Sequence, residues 1–70
     1  MGTGTLKKWD ANRGFGFIQD DAGGPDIFLH VVAVRVAGLD PHAVIIGTRL
    51  SFSLEPTRDG RTRAGNVQIL

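Results

Sequence analysis

Turn signals interrupt this 70-residue chain so often that no segment can carry a long helix. Ten glycines and three prolines, together with Asn and Asp clusters, cut it into short pieces. Thr3–Trp9 is a first strand, followed by a turn at Asp10-Ala11-Asn12-Arg13. Gly14–Gln19 is a second strand, closed by Asp20-Asp21-Ala22-Gly23-Gly24-Pro25, and Asp26–Val31 is a third. Arg49–Glu55 alternates, with Leu50, Phe52 and Leu54 on one face and Ser51, Ser53 and Glu55 on the other. The Asp59-Gly60 turn signal then leads into a fifth strand, Arg61–Ile69. Short strands joined by tight turns point to a small all-β barrel, which hides most of its edges by closing. Between the third and fourth strands, Val31–Gly47 is apolar but broken by Gly38, Asp40 and Pro41. A single helical turn near Val32–Arg35, followed by a loop, fits it best.

Composition narrows the function classes. The absence of cysteine excludes disulfides and cysteine-based metal sites. Residues 1–70 suffice for one domain, with a radius of gyration of about 11 Å and a thin core. No apolar run approaches the ~18 residues of a membrane span, so no membrane partner is expected. The first residues lack a signal h-region, and Leu6 occupies the position that a myristoylation signal gives to Ser or Thr, so the expected location is cytoplasmic. A net charge of +1 gives no strong field of the kind that marks a duplex-DNA binder. The basic residues nevertheless cluster, Lys7, Lys8 and Arg13 near one end and Arg58, Arg61 and Arg63 near the other.

The second and third strands carry the functional signal. In Arg13-Gly14-Phe15-Gly16-Phe17-Ile18, alternation separates Phe15 and Phe17 from Gly14, Gly16 and Ile18. Two phenyl rings on one face ordinarily mean core. The third strand argues otherwise, because Ile27, Leu29 and Val31 share one face while Phe28 shares the other with Asp26 and His30. A core containing Asp26 and His30 would bury polar groups at real cost, so Phe28 and His30 belong outside. Pairing the strands then sets Phe15 and Phe17 beside them, and the glycines fit a tight interior. Exposed rings interleaved with Lys7, Arg13 and Arg61 suit unpaired bases, which stack on aromatic side chains for about 1–3 kcal/mol each while cations meet the phosphates. An aromatic patch can also receive a peptide or another subunit.

At these residues the chain resembles a known family. Arg13–Ile18 and Asp26–Val31 resemble the two ribonucleoprotein motifs in the order used by bacterial cold-shock proteins, and the likeness runs from about Gly4 to Ile69. The Gly47-x-x-Leu50-x-Phe52 strand and the closing Ala64-Gly65-Asn66-Val67 belong to it. The resemblance implies an all-β, five-stranded antiparallel oligonucleotide-binding barrel. It also implies an RNA chaperone that binds single-stranded RNA and DNA with little sequence preference. The stacking residues it implies are Trp9, Phe15, Phe17, Phe28 and His30, with Lys7 and Arg13 near phosphates. Lys8 stands where the family usually has a stacking tryptophan, Trp9 where it usually has phenylalanine, and Val31 where it usually has an aromatic. A platform with fewer rings and one more charge is expected to bind more weakly and with more sensitivity to salt.

Ile45-Ile46 sits where the family usually has polar or acidic residues. These side chains either tuck under the loop as a satellite core or make Val31–Gly47 a self-association surface for a homodimer or a hinge for strand exchange between protomers. An enzyme is not expected: His30 and His42 lie in no ligand-spaced motif, and no nucleophile triad or phosphate loop is present. Asp20, Asp21 and Asp26 around Gly23-Gly24 lack the spacing and final Glu of a calcium loop, so neither metal nor cofactor is expected. The rival from another class is a small barrel that binds proteins or itself, with weak nucleic-acid binding.

Overall fold

The computed structural model describes residues 2–70; Met1, the first residue of the expected domain, lies outside them. Its elements run β1 (Gly2–Asp10), β2 (Phe15–Asp20), β3 (Ile27–His30), α1 (Val31–Val36), β4 (Arg49–Pro56) and β5 (Thr62–Ile69). The strands close a barrel in the order β1-β2-β3-β5-β4. All neighbours are antiparallel except β3 and β5, which close the barrel in parallel through one register pair, Phe28 opposite Arg63. The Cα radius of gyration is 10.8 Å.

Local chemistry sets these boundaries. Gly14 sits at φ 78°, a left-handed turn conformation that an L side chain resists. Its N–H donates to Asp10 O at 2.9 Å, and its carbonyl accepts from Val31 N at 2.8 Å. Val31 therefore opens α1 rather than ending β3. The helix stops at Gly38, φ 80°, where Gly38 N–H donates to Arg35 O and Leu39 N–H to Val34 O, the paired bonds of a glycine C-cap.

Leu6, Ile18, Ile27, Leu29, Val34, Leu50, Phe52, Ala64 and Val67 form the core; Val34 comes from α1, and Ala64 and Val67, three residues apart, both face inward because the β4–β5 register shifts between them. Leu54 departs from the strand alternation and is 56% exposed. Among the described residues β1 pairs with β4 from Arg49 to Phe52, and Leu54 lies past that stretch. The Val31–Gly47 segment also divides differently from the satellite-core expectation. Leu39 and Val44 pack against the core, whereas Ile45 and Ile46 are exposed. The loop is tied down where Gly47 N–H donates to Leu6 O and Thr48 O accepts from Leu6 N.

One polar cluster pins β1, β4 and the β2–β3 turn together. Both Arg49 terminal nitrogens donate to the Asp21 carboxylate at 2.6 Å, Thr3 Oγ1 donates to it at 2.7 Å, and Arg49 also reaches Thr5 Oγ1 at 2.9 Å. Hydrogen bonds from Arg49 and then Thr3 hold the Asp21 pKa down at about 2, against an ordinary 3.8. A carboxyl whose folded pKa lies below its unfolded value stabilises the fold above the unfolded pKa and loses that contribution as pH falls through the folded one. Asp21→Asn is therefore expected to lower the melting temperature at neutral pH and to flatten its pH dependence between 3.8 and about 2. Parallel acid-limb melting curves for wild type and variant would contradict the assignment.

Candidate nucleic-acid interface

Paired residues across β1, β2 and β3 share faces, so the register assigns every side chain to the inside or the outside. Gly16 opposes Leu29 and Ile18 opposes Ile27, both pairs inward. Phe15 opposes His30, and Phe17 opposes Phe28, both pairs outward. The outward rings touch. Phe15 and Phe28 stack with centroids 5.8 Å apart at 27°, and Phe17 meets both edge-on, at 6.1 Å from Phe15 and 6.0 Å from Phe28. His30 lies 6.1 Å from Phe28, tilted by 45°. All four are half-buried, one side of each held by its neighbours and the sheet, the other open to solvent. Edge-to-face packing of this kind fixes ring orientation without outside help.

His30 has a second task. Its Nδ1 accepts from Val32 N at 3.2 Å and caps α1. An accepting Nδ1 puts the neutral ring's proton on Nε2, so His30 offers that N–H as a donor at the platform's edge.

β1 does not contribute the expected ring. A bulge between Leu6 and Lys8 inserts Lys7, so Lys8 pairs with Phe17 and Trp9 pairs with Gly16. Trp9 is thus on the face opposite the platform. It packs against the core, and its Nε1 donates to Pro41 O at 2.8 Å. The sequence expectation that Trp9 would stand among the stacking rings is corrected accordingly. Lys8 takes the place beside Phe17 instead.

The expected cations differ in their freedom. Lys7 pairs with Asp26 at 3.3 Å, Arg13 with Asp10 at 3.9 Å, and Arg61 with Asp59 at 3.5 Å. Among the described residues Lys8 has no acidic partner. Arg61 lies in the β4–β5 turn, where the Thr57 hydroxyl bonded to Asp59 keeps that carboxyl below its usual range and charged. The arginine in register with Phe28 is Arg63, ion-paired to Glu55 at 3.5 Å. Choosing Arg63 over Arg61 needs the β3–β5 register, a pairing across more than thirty residues that local pattern does not specify.

Residues 2–70 match the 'Cold-shock' DNA-binding domain. The chain is 44% identical over 69 residues to a probable cold shock protein of Sinorhizobium fredii, with 97% of each covered. It is 35% identical to cold shock protein CspA of Rhizobium meliloti, again with 97% of each covered. Over 64 residues it is 39% identical to glycine-rich protein 2 of Nicotiana sylvestris, a match spanning 91% of this chain and 29% of that protein. No helix among the described residues is long and apolar enough to cross a membrane.

The Trp9 placement depends on Gly16. A Cβ there would collide with the Lys8 carbonyl oxygen and come within 2.7 Å of Trp9 Cε3. Gly16→Ala is expected to cost roughly 1–3 kcal/mol in urea unfolding and to red-shift Trp9 emission as the indole is displaced. Unchanged stability and emission would place Trp9 on the other face.

Proposed function

This chain belongs to the cold-shock domain family of nucleic-acid-binding proteins, and from that membership and the site geometry we propose that it is an RNA chaperone of the cytoplasm. In this reading residues 1–70 act as a single domain that binds single-stranded RNA and DNA by stacking, with little sequence preference. The observation that supports it is the set of Phe15, Phe17 and Phe28, three outward phenyl rings packed on one another beside His30. Large apolar faces left in water on a small domain favour a ligand with flat apolar faces of its own, and unpaired bases are such ligands.

The rings hold bases and the cations hold the phosphates that join them. Lys8, without an acidic partner among the described residues, supplies the least encumbered charge. Lys7, Arg13, Arg61 and Arg63 must exchange a carboxylate for a phosphate, which costs little because exposed ion pairs contribute only ~0–1 kcal/mol. Stacking recognises any base, so specificity is low. A strand held base-down on the sheet cannot pair with another strand, and modest affinity lets it go. Those two properties are what a chaperone of RNA structure needs.

Phe28→Ala and Lys8→Ala separate the two contributions. The first is expected to weaken binding of a short oligopyrimidine by the ~1–3 kcal/mol of a stacked base at any salt concentration. The second is expected to lower the slope of log K against log salt by about 0.7, the share of one phosphate on a single strand. Both variants should melt near wild type, since neither side chain is core. Binding unchanged by Phe28→Ala in a folded protein would overturn the stacking reading.

One observation favours the rival reading, a self-associating barrel: Ile45 and Ile46 are 70% and 55% exposed. Light scattering across a concentration series decides it. A monomer mass at every concentration is expected if nucleic-acid binding is the principal function, and a mass rising towards the dimer would favour association through Val31–Gly47.

A further inference from the structure

Beyond the platform the barrel leaves a groove. β3 is in ladder register with β5 at the single pair Phe28 and Arg63, and α1 also packs against β5. Between α1 and β5 lies a cavity of about 560 Å³ lined by His30, Val32, Val36, Arg63, Asn66 and Gln68 among others. That volume falls within the ~300–1,000 Å³ range of small-molecule sites. Val32 and Val36, one turn apart on the same helix face, are 56% and 80% exposed and form an apolar wall. The facing strand contributes amides. Asn66 adopts φ 46°, at the point where three steps along β5 oppose two along β4.

We propose that this groove is a base-binding subsite, taking the nucleobase that follows the one stacked on His30. The inference rests on the stacking reading of the platform and extends it. Continuity supports it, because His30 belongs to both the platform and the groove wall, and Arg63 stands between Phe28 and the groove mouth. Charge supports it too. Arg63 lies where a phosphate linking a platform base to a groove base would pass, exchanging for it the carboxylate of Glu55, a half-buried acid that also lines the groove. A base, with apolar faces and a polar edge, matches a site walled by valines and rimmed by Asn66 and Gln68. A peptide strand added to β5 is the other conceivable occupant, but the irregularity at Asn66 interrupts the even row of backbone donors and acceptors that strand addition needs. Because Asn and Gln side chains hydrogen-bond base edges, this position brings a sequence preference that the platform lacks.

Oligothymidylates of three and six nucleotides, carrying an anisotropy label, test the subsite against wild type, Asn66→Gly/Gln68→Ala and Phe28→Ala. Glycine at position 66 keeps the left-handed backbone while removing the side chain. The double variant is expected to weaken the six-nucleotide strand about threefold or more, the loss of a net hydrogen bond or two, and to leave the three-nucleotide strand unchanged. Val36→Asp, which sets a carboxylate on the exposed wall, should produce the same length-selective loss and serves if the double variant folds poorly. Equal effects on both lengths, or none on either, would overturn the subsite and return the groove to a peptide or to solvent. Phe28→Ala reads the platform separately. It should weaken both strands, and a failure to do so would overturn the stacking reading rather than the groove alone.

Discussion

A single inserted residue in β1 organises the face that carries the outward rings. Leu6 is fixed in the core, and both its backbone groups are engaged by Gly47 and Thr48 at the end of the long loop. The strand must then resume pairing with β2 one residue late, which leaves Lys7 unpaired between two registers. Everything after the bulge is reversed relative to simple alternation. Lys8 goes out beside Phe17, and Trp9 goes in against Gly16 and up to Pro41. The loop that holds Leu6 is thus held in turn by the residue that the bulge redirects.

The chain has four phenylalanines, and their division shows how the small barrel balances stability against display. Phe52 is fully buried and is the largest side chain of the core. The other three pack against each other on the outside, each covering part of its neighbours. Mutual cover reduces the apolar area in water while leaving one side of each ring open. The charges around them are arranged in a similar way. Most of the nearby cations are neutralised by adjacent acids across 3.3–3.9 Å, so the net field stays small. Lys8 departs from that arrangement, at the position where the bulge points it.

Much of this was legible in the sequence, and the exceptions have identifiable physical causes. The outward placement of Phe15, Phe17 and Phe28 follows from the polar companions of Phe28, since Asp26 and His30 could not share a core with it. The inward glycines follow as their complement, and Gly16 turns out to have a specific occupant in Trp9. Trp9 itself was not legible, because a bulge leaves no local mark: Leu6-Lys7-Lys8-Trp9 reads the same with or without one. Leu54 misled for a related reason. Its alternation with Phe52 is sound, but it lies past the Arg49–Phe52 stretch that pairs with the described part of β1. Arg63 and the α1–β5 groove depend on the parallel closure of β3 with β5, a pairing between distant residues that no window of sequence contains.

The stacking claim is tested most directly on the rings themselves. Aromatic proton resonances of Phe15, Phe17, Phe28 and His30 can be followed by NMR while a pyrimidine hexanucleotide is added to saturation. Ring currents from stacked bases should move all four sets upfield, with Phe52 and the Ile45–Ile46 methyl groups nearly still. Platform resonances that stay in place while the loop methyl groups move would contradict the account and transfer the binding surface to the Val31–Gly47 segment.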